Sequence, residues 1–207
     1  MSPQSTNHVL LIRPTEFYSN DQTIETNHYQ KPDNKKPHSE ILNEALVEFD
    51  SFEKNLLDHG IRVTTFLGQK GCPDNIFPNW AVTFDNRSMH IFSMLGENRR
   101  LEKSENHIRD LNRRYQTTLD YSKYENKSQF LEGTSSLVLD RVNRVAYMGI
   151  SPRSDEGLAK KWARENDYEL FAFETQSHTG QPIYHSDVMM YIGTELAVIC
   201  TEAIKTG

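Results

Sequence analysis

The sequence predicts an α/β fold, because short apolar segments alternate with amphipathic ones along the chain. The short segments are rich in β-branched and aromatic residues and are bounded by turn residues, as strands are. Between them, apolar residues recur at helical spacing. The order strand, strand, helix, strand recurs every few tens of residues, which predicts a fold built from repeated units. The chain has neither a G-x-G-x-x-G turn nor a Walker loop, so neither of those nucleotide-binding folds is indicated.

The composition is that of a globular protein. Hydrophobic residues make up 36% of the 207, which is enough for a packed core, and we favour a single domain over residues 1–207. A net charge of -6 provides no diffuse positive field for nucleic acid or anionic lipid, so neither partner is expected. With only two cysteines, no leader-like apolar run and no membrane-length apolar stretch, the chain is predicted to be cytoplasmic.

The N-terminal third is predicted to contain a strand, a long loop and a helix. Residues 8–13 form an apolar run stopped by Pro14, which is typical of a buried strand. Residues 19–39 are mostly polar and predict a loop, either one lying over a site or an ordinary mobile loop. Ser39 then resembles the N-cap of a helix with helical apolar spacing, and Gly60 indicates its end.

The middle of the chain is predicted to contain a strand, a hairpin and a surface helix. Residues 61–66 are rich in β-branched residues, and residues 80–84 and 89–92 flank a turn at Asp85. Residues 97–112 carry many charges around a few apolar residues. Because acidic and basic residues interleave there, we predict the solvated face of a surface helix rather than a nucleic-acid-binding patch.

The C-terminal part is predicted to alternate in the same way. The pattern indicates a hairpin over residues 136–140 and 144–148, a helix over about 154–166 and a strand over 170–173. Two further strands are predicted over residues 184–190 and 196–200.

Three segments place polar residues where an apolar strand ends, which is where a scaffold usually presents a site. They read FPNW, FLEGT and IYHSDVMM. Taken alone, Glu132 lies either beside a cation or in a solvent-facing loop. His185 and Asp187 alternate by two on a presumed strand, so their side chains are predicted to share a face. Such a pair can orient a proton shuttle, bind a metal or simply form a hydrogen bond.

Taken together, the motifs resemble a known superfamily. In chain order they read HVLLIRPTEF, TNHYQ, FPNW, NRRLE, FLEGTSSLVLDR, AYMGISPRSD and GQPIYHSDVMM. This order is similar to the arginine deiminase, dimethylarginine hydrolase and amidinotransferase superfamily, the penteins, and most closely to its citrulline-utilisation hydrolase branch. The resemblance implies an α/β propeller of repeated ββαβ units. It also implies hydrolysis of a guanidino or ureido amino acid through a covalent thio-intermediate, with no cofactor and no metal.

The resemblance also implies a role for each candidate residue. His185 would be the acid/base that gives a proton to the departing amine, and Glu132 would orient its imidazole. Asp187 would hold substrate nitrogens through charge-assisted contacts. Asn79 and Asp85, six residues apart, would bind substrate as the corresponding residues of arginine deiminases do.

The chain departs from the citrulline-hydrolase pattern at three places. That branch shows FPNNW, LEGTGS and YHTNVMM, whereas this chain has FPNW, LEGTSS and YHSDVMM. Ser135 therefore stands where the branch has Gly, and Asp187 where it has Asn. Because a carboxylate prefers a cation and an amide suits a neutral group, the second change is predicted to favour arginine-like or agmatine-like substrates.

No cysteine is assigned as nucleophile. The resemblance places the nucleophile in the last of five repeats, whereas only 22 residues follow His185. Cys200 lies in an apolar run and is predicted to be buried and inert, and Cys72 lies in a loop and is predicted to be more exposed. We therefore expect a pentein domain that is incomplete at its C-terminus. Such a truncated chain would be poorly soluble or would assemble with another copy, and would not hydrolyse amidines.

Two further functions remain as alternatives. The chain could be an inactive relic or binding module that holds an arginine-like ligand without cleaving it. It could also be a metal-dependent enzyme, since a His-x-Asp pair with a distant His is the facial-triad arrangement for ferrous iron. No histidine follows His185, which disfavours the metal-dependent alternative.

Overall fold

The computed structural model describes residues 4–31 and 36–205, and it divides them into two compact units. The first unit contains residues 4–5, 79–95 and 112–205, and the second contains residues 6–31, 36–78 and 96–111. Residues 32–35 of the predicted loop lie outside the described residues. The single domain over residues 1–207 stays a prediction.

The second unit contains a parallel strand pair joined through a long helix. β1 (His8–Arg13) pairs with β2 (Arg62–Leu67), and α1 (His38–Asp58) lies between them in the chain. The helix buries Ala45 and Phe49, which are four residues apart and so lie on one helical face. The predicted strand over residues 8–13 is confirmed, and the second strand begins one residue later than predicted.

The ends of α1 agree only in part with the sequence signals. Ser39 is not the N-cap: Pro37 holds that position, where its fixed φ suits the entry into the helix. At the other end Gly60 has a φ of +77°, and its N–H donates to the Leu57 carbonyl while the N–H of Ile61 donates to Leu56. This is the Schellman motif, which requires the left-handed conformation that glycine adopts readily.

The described part of the predicted loop is anchored by buried polar residues. Asn20 and Thr23 are each 1% exposed. The Asn20 side-chain amide donates to Asp74 at 2.7 Å, and the Thr23 hydroxyl donates to the same carboxylate at 3.2 Å. Asn20 and Thr23 therefore fix this part of the loop to the rest of the second unit, and whether the loop lies over a site stays a prediction.

The predicted surface helix over residues 97–112 is two helices, α2 (Glu97–Arg100) and α3 (Glu105–Asn112). The solvated-face prediction is wrong for Arg99 and Glu102, which are 2% and 0% exposed and form an ion pair at 2.9 Å. Arg99 also donates to the carbonyl of Phe77. These paired hydrogen bonds compensate the loss of hydration that burial imposes on both charges.

The first unit contains two three-stranded sheets of the same design. In each, two antiparallel strands are followed by a third strand that runs parallel to the second. The strands are β3 (Ala81–Thr83), β4 (Ser88–Ile91) and β5 (Thr117–Asp120), then β6 (Val138–Asp140), β7 (Val145–Gly149) and β8 (Glu169–Phe173). The short helix α4 (Gly133–Ser136) precedes β6, and α5 (Glu156–Glu165) connects β7 to β8.

Two hydrophobic clusters pack the first unit, one on each face of β6. Leu139 belongs to the cluster that includes Trp162 of α5, and Val138 belongs to the cluster that includes Met190. Neighbouring residues of a strand point to opposite faces, so β6 is buried on both sides. The described strands form four separate sheets, and the closed propeller stays a prediction.

A neutral histidine lies inside the larger of these clusters. His90 is 2% exposed, and its Nδ1 accepts a hydrogen bond from the Trp162 indole at 3.0 Å. Burial lowers the pKa of His90 to about 4, and the nearby Arg141 guanidinium acts in the same direction. His90 is therefore a structural core residue in its uncharged form.

The C-terminal end differs from its prediction. Residues 184–190 are not one strand, because Ser186–Val188 form a 3-10 turn before β9 (Met190–Ile192). β9 pairs only with β10 (Ala197–Ile199) among the described strands, and all three residues of β10 are exposed. Among the described residues, no helix combines the length and apolar character needed to cross a membrane.

Candidate active site

Glu132 is a fully buried carboxylate held at the start of α4. Its Oε1 accepts a hydrogen bond from the backbone N–H of Leu95 at 2.9 Å, and its own N–H donates to the Ser136 hydroxyl at 3.0 Å. Backbone and side chain are thus both fixed by hydrogen bonds within the first unit. A buried carboxylate held in this way is oriented before any ligand arrives.

Gly133 allows the backbone after Glu132 to approach Asn79 closely. Its φ is +48°, and a Cβ at this position would lie 2.2 Å from the carbonyl oxygen of Asn79. No other residue type could be accommodated without moving one of the two backbone segments. The Glu-Gly pair of the motif therefore orients the carboxylate and brings Asn79 alongside it.

His185 forms a short polar contact with Glu132. Its Nε2 lies 2.7 Å from Oε2 of Glu132, and the side chains of both residues are buried. The turn that follows is fixed by Ser186, whose hydroxyl donates to the carbonyl of Ser136 at 2.7 Å and accepts from the N–H of Gly149 at 2.8 Å. Glu132 therefore occupies one ring nitrogen of His185 and leaves Nδ1 as the second site for proton exchange.

Arg153 places a positive charge beside the dyad. Its Nη1 is 3.7 Å from Oε2 of Glu132, and its guanidinium carbon lies 4.8 Å from the centre of the Tyr184 ring. The side chain is 2% exposed, so little water screens the attraction. Arg153 belongs to the motif AYMGISPRSD, but no role is predicted for it from the sequence.

Ser136 connects the elements of the site through a saturated hydroxyl. It accepts from the N–H of Glu132 and from the Ser154 hydroxyl at 2.9 Å, and it donates to the carbonyl of Arg153 at 2.9 Å. One donated and two accepted hydrogen bonds use the full capacity of a serine hydroxyl. This residue was also missed, since its importance depends on contacts between distant segments.

Asp187 lies in the 3-10 turn, two residues after His185, and not on the predicted strand. The residue is exposed, while its Oδ2 lies 2.7 Å from the hydroxyl of the buried Ser135, so only part of the side chain is shielded from solvent. This partial burial raises the pKa of Asp187 above its usual value, whereas His185 and a hydrogen bond from Ser135 act in the opposite direction. The prediction of a shared strand face is wrong, yet the turn still keeps Asp187 electrostatically coupled to His185.

Ser135 brings two of the predicted substrate-binding residues together. Its hydroxyl oxygen lies 2.7 Å from Oδ2 of Asp187 and 2.8 Å from Oδ1 of Asn79. Asn79 and Ser135 are both buried, at 7% and 5% exposed. Four of the five predicted site residues, Glu132, His185, Asp187 and Asn79, thus lie in one connected set of contacts.

Asp85 is not part of that set. It follows β3, whereas Asn79 precedes the same strand, so the two residues lie at opposite ends of it. Asp85 is exposed, and its charge acts on Arg141 and Tyr168. A role for Asp85 in substrate binding stays a prediction.

The two cysteines have the opposite burial from that expected. Cys72 is 1% exposed, its thiol lies 3.1 Å from the carbonyl of Asn98, and burial raises its pKa to about 11. A thiol of this kind is a poor nucleophile. Cys200 is exposed, as are the three residues of β10 before it, and its sulfur lies 3.6 Å from a Glu202 carboxylate oxygen.

Over residues 4–31 and 36–205, no group of three or more His, Cys, Asp or Glu side chains is placed to hold a metal ion. In particular, Nε2 of His185 faces Glu132 at hydrogen-bond distance. The facial-triad arrangement considered from the sequence is therefore not found among the described residues.

The fold is similar to those of several solved structures. The product-bound N-terminal domain of ArgZ, an arginine dihydrolase of the cyanobacterial ornithine-ammonia cycle, is 14% identical with a TM-score of 0.73, over 96% of this chain and 68% of that one. AgrE in a ternary complex with ornithine and NAD+ is 18% identical with a TM-score of 0.72, over 96% and 27%. A dimethylarginine dimethylaminohydrolase adduct is 15% identical with a TM-score of 0.62, over 93% and 66%. These similarities establish the α/β fold of the pentein structures.

The sequence itself matches a family model. The model for eukaryotic N,N dimethylarginine dimethylhydrolase matches residues 13–207, which is nearly the whole chain. A comparison with curated proteins finds no significant match. The motifs, the fold and this match agree, so the chain belongs to the N,N dimethylarginine dimethylhydrolase family of the pentein superfamily.

Proposed function

We propose that this chain supplies the acid/base and ligand-holding residues for hydrolysis of a guanidino or ureido amino acid. The observation that carries the proposal is the buried 2.7 Å contact between Oε2 of Glu132 and Nε2 of His185. An amine is a poor leaving group, so cleavage of its C–N bond requires a proton donor held in a fixed orientation. The family match and the arginine- and ornithine-related names of the structural neighbours support the same chemistry.

In this proposal His185 acts through Nδ1. Glu132 holds Nε2 and stabilises the positive charge of the protonated ring. A thiolate, for which no cysteine is assigned here, adds to the planar carbon of the ligand. As the C–N bond breaks, the proton on Nδ1 passes to the departing nitrogen and the carbon stays bonded to sulfur. The neutral ring then accepts a proton from the water that adds to the same carbon and displaces the thiolate. Asp187 and Asn79 hold the ligand nitrogens.

The experiment compares ligand binding with turnover. Calorimetry with arginine, citrulline and agmatine measures binding, and ammonia release measures cleavage. For any ligand that is cleaved, we expect His185→Ala to reduce the turnover number by at least about a hundredfold. We expect Glu132→Gln, which removes the charge but keeps the shape, to cause a smaller loss with little change in ligand affinity. Absence of binding for all three ligands would contradict the proposal.

A second candidate function is ligand binding without turnover. The state of Cys72 favours it, because this thiol is buried and burial raises its pKa to about 11, which makes it a poor nucleophile. Binding of arginine with no ammonia release, unchanged by Cys200→Ser, would support this function. Loss of ammonia release on Cys200→Ser would instead identify Cys200 as the nucleophile.

A further inference from the structure

The hydroxyl of Ser135 lies between two groups that are both placed as acceptors. Its oxygen is 2.8 Å from Oδ1 of Asn79 and 2.7 Å from Oδ2 of Asp187. A serine hydroxyl carries a single hydrogen and can donate to only one of them. The other contact therefore needs a hydrogen from the opposite side.

The charge of Asp187 decides where that hydrogen comes from. When Asp187 is ionised, its carboxylate can only accept, so the Ser135 hydrogen points to Asp187. Asn79 can then donate a hydrogen bond to the Ser135 oxygen if its side-chain amide is rotated by 180°, so that Nδ2 takes the place of Oδ1. The two orientations occupy the same heavy-atom positions. The result is a directed chain in which Asn79 donates to Ser135 and Ser135 donates to Asp187.

We propose that Ser135 is a positioning residue that holds Asp187 as an ionised carboxylate and so makes the site select a cationic guanidino group over a neutral ureido group. The inference rests on the proposed function, because it specifies the ligand of the same site. Ser135 and the backbone N–H groups of Asp187 and Val188 donate to the carboxyl group, which has about four acceptor sites, so acceptor capacity remains for a ligand N–H group. A guanidinium adds charge attraction to those hydrogen bonds, and a ureido group does not.

Ser135 and Asp187 are 52 residues apart in the chain, yet they contact each other directly in the structure. An alanine in place of Ser135 would provide no hydroxyl, and an asparagine in place of Asp187 would carry no charge for such a donor to stabilise. Substituting either residue therefore tests the contact.

The energetics of Asp187 explain why such a donor is useful. Partial burial raises the pKa of its carboxyl group, which works against the charged form, while His185 and Ser135 work in favour of it. Removing the Ser135 hydroxyl would remove one of the interactions that lower the pKa of Asp187, so the pKa would rise further. Asp187 would then be protonated over a wider pH range and would attract a cation less strongly.

The first experiment is a double-mutant cycle with two ligands. Arginine and citrulline are titrated by calorimetry into the unmodified chain, Ser135→Ala, Asp187→Asn and the double variant. The unmodified chain is expected to prefer arginine. S135A is expected to weaken arginine binding about tenfold, as for a hydrogen bond to a charged group, with less than about a twofold effect on citrulline. In the D187N background, S135A is expected to leave the arginine-to-citrulline ratio unchanged.

The second experiment needs no ligand. The carboxyl carbon of Asp187, identified by its loss in D187N, is titrated by NMR in the unmodified chain and in S135A, and the pKa is expected to rise in S135A. Ser88→Ala is the matched control, because Ser88 is a buried serine of the same unit whose hydroxyl faces His90. S88A is expected to change neither the ligand ratio nor the pKa of Asp187.

The outcomes separate the two claims. If the unmodified chain binds neither ligand, the proposed function fails, and the selectivity fails with it. If arginine binds but S135A weakens arginine and citrulline equally, or leaves the pKa of Asp187 unchanged, the role of Ser135 fails and the proposed function stands.

Discussion

At the residue scale, the polar residues of the site are fixed by backbone geometry as much as by side-chain chemistry. Glu132 is oriented by the N–H of Leu95, and the segment after it approaches Asn79 through a glycine. The position of the carboxylate therefore depends on a residue that has no functional group. A substitution of Gly133 is therefore the most sensitive test of the local geometry.

Gly133→Ala is expected to lower the free energy of unfolding by more than about 2 kcal/mol, because it combines a positive φ with a Cβ 2.2 Å from a carbonyl oxygen. Chemical denaturation measures the change. Gly180→Ala is the control, since Gly180 has a φ of +83° and its nearest atom is a side-chain nitrogen at 3.5 Å. It is expected to cost only about 1 kcal/mol. Equal effects of the two substitutions would mean that the contact with Asn79 is unimportant.

His90 gives the first unit a pH-dependent stability. Its pKa is about 4 in the folded protein and 6.5 in the unfolded chain, so the unfolded state binds more protons between these values. Stability is therefore fully present above pH 6.5, decreases as the pH falls from 6.5, and is lost through pH 4. The loss is on the order of 3 kcal/mol.

This dependence is measured by urea unfolding at several pH values, with His90→Gln and, as control, the exposed His59→Gln. The slope between pH 6.5 and 4 is expected to become shallower in His90→Gln and to persist in His59→Gln. If His90→Gln keeps the slope, another group is responsible.

The sequence located the polar residues of the site more successfully than their neighbours. Glu132 and His185 were identified because they belong to ordered motifs, and the structure places them in contact. Ser135, Ser136 and Arg153 were not identified as contributors. Their roles depend on contacts with residues far away in the chain, and no local pattern carries that information.

At the element scale, the sequence signals were reliable where one local interaction dominates. The run stopped by Pro14 gave the bounds of β1 correctly, and Gly60 ends α1 in a Schellman motif. The strand predicted over residues 184–190 was wrong. The apolar alternation of this segment is typical of a strand, but Ser186 forms buried hydrogen bonds that hold a turn. Tertiary contacts overrode the local pattern there.

The start of α5 provides a prediction at this scale. Asp155 is the N-cap, and its Oδ1 accepts from the N–H of Leu158 at 2.6 Å. Asp155→Ala is expected to reduce the free energy of unfolding by about 1 kcal/mol, because it leaves a helix N–H without its partner. Asp155→Asn keeps an acceptor and is expected to cost less. Thermal unfolding of the two variants makes the comparison, and a larger loss in Asp155→Asn would refute the capping role.

At the scale of the whole molecule, the burial of apolar residues was the hardest property to predict. Cys200 and its neighbours in β10 form an apolar run that predicts burial, yet they are exposed, whereas Cys72 in a loop is buried. Local sequence reports how apolar a segment is. It does not report which surface, if any, covers that segment.

The exposed strand leads to a prediction about association. Val198 and Ile199 are 45% and 41% exposed, next to the exposed Tyr191. We expect copies of the chain to associate through this face, giving sedimentation coefficients that rise with concentration. Val198→Lys is expected to weaken that association. Val47→Lys, at an exposed position on α1, is expected to leave it unchanged, and equal behaviour of the two variants would exclude β10 as the contact.

The site is assembled from segments that are far apart in the chain, and this has a consequence for folding. The hydrogen bond between Leu95 and Glu132 spans 37 residues, and that between Glu132 and His185 spans 53. Contacts of such separation require large loops to close, which slows folding and delays their formation. A ligand that needs all three segments would therefore bind only after the first unit has folded. Such a ligand would slow unfolding rather than speed folding. A chain emerging from the ribosome would therefore gain no stability from the ligand until residues up to Asp187 have left the ribosome.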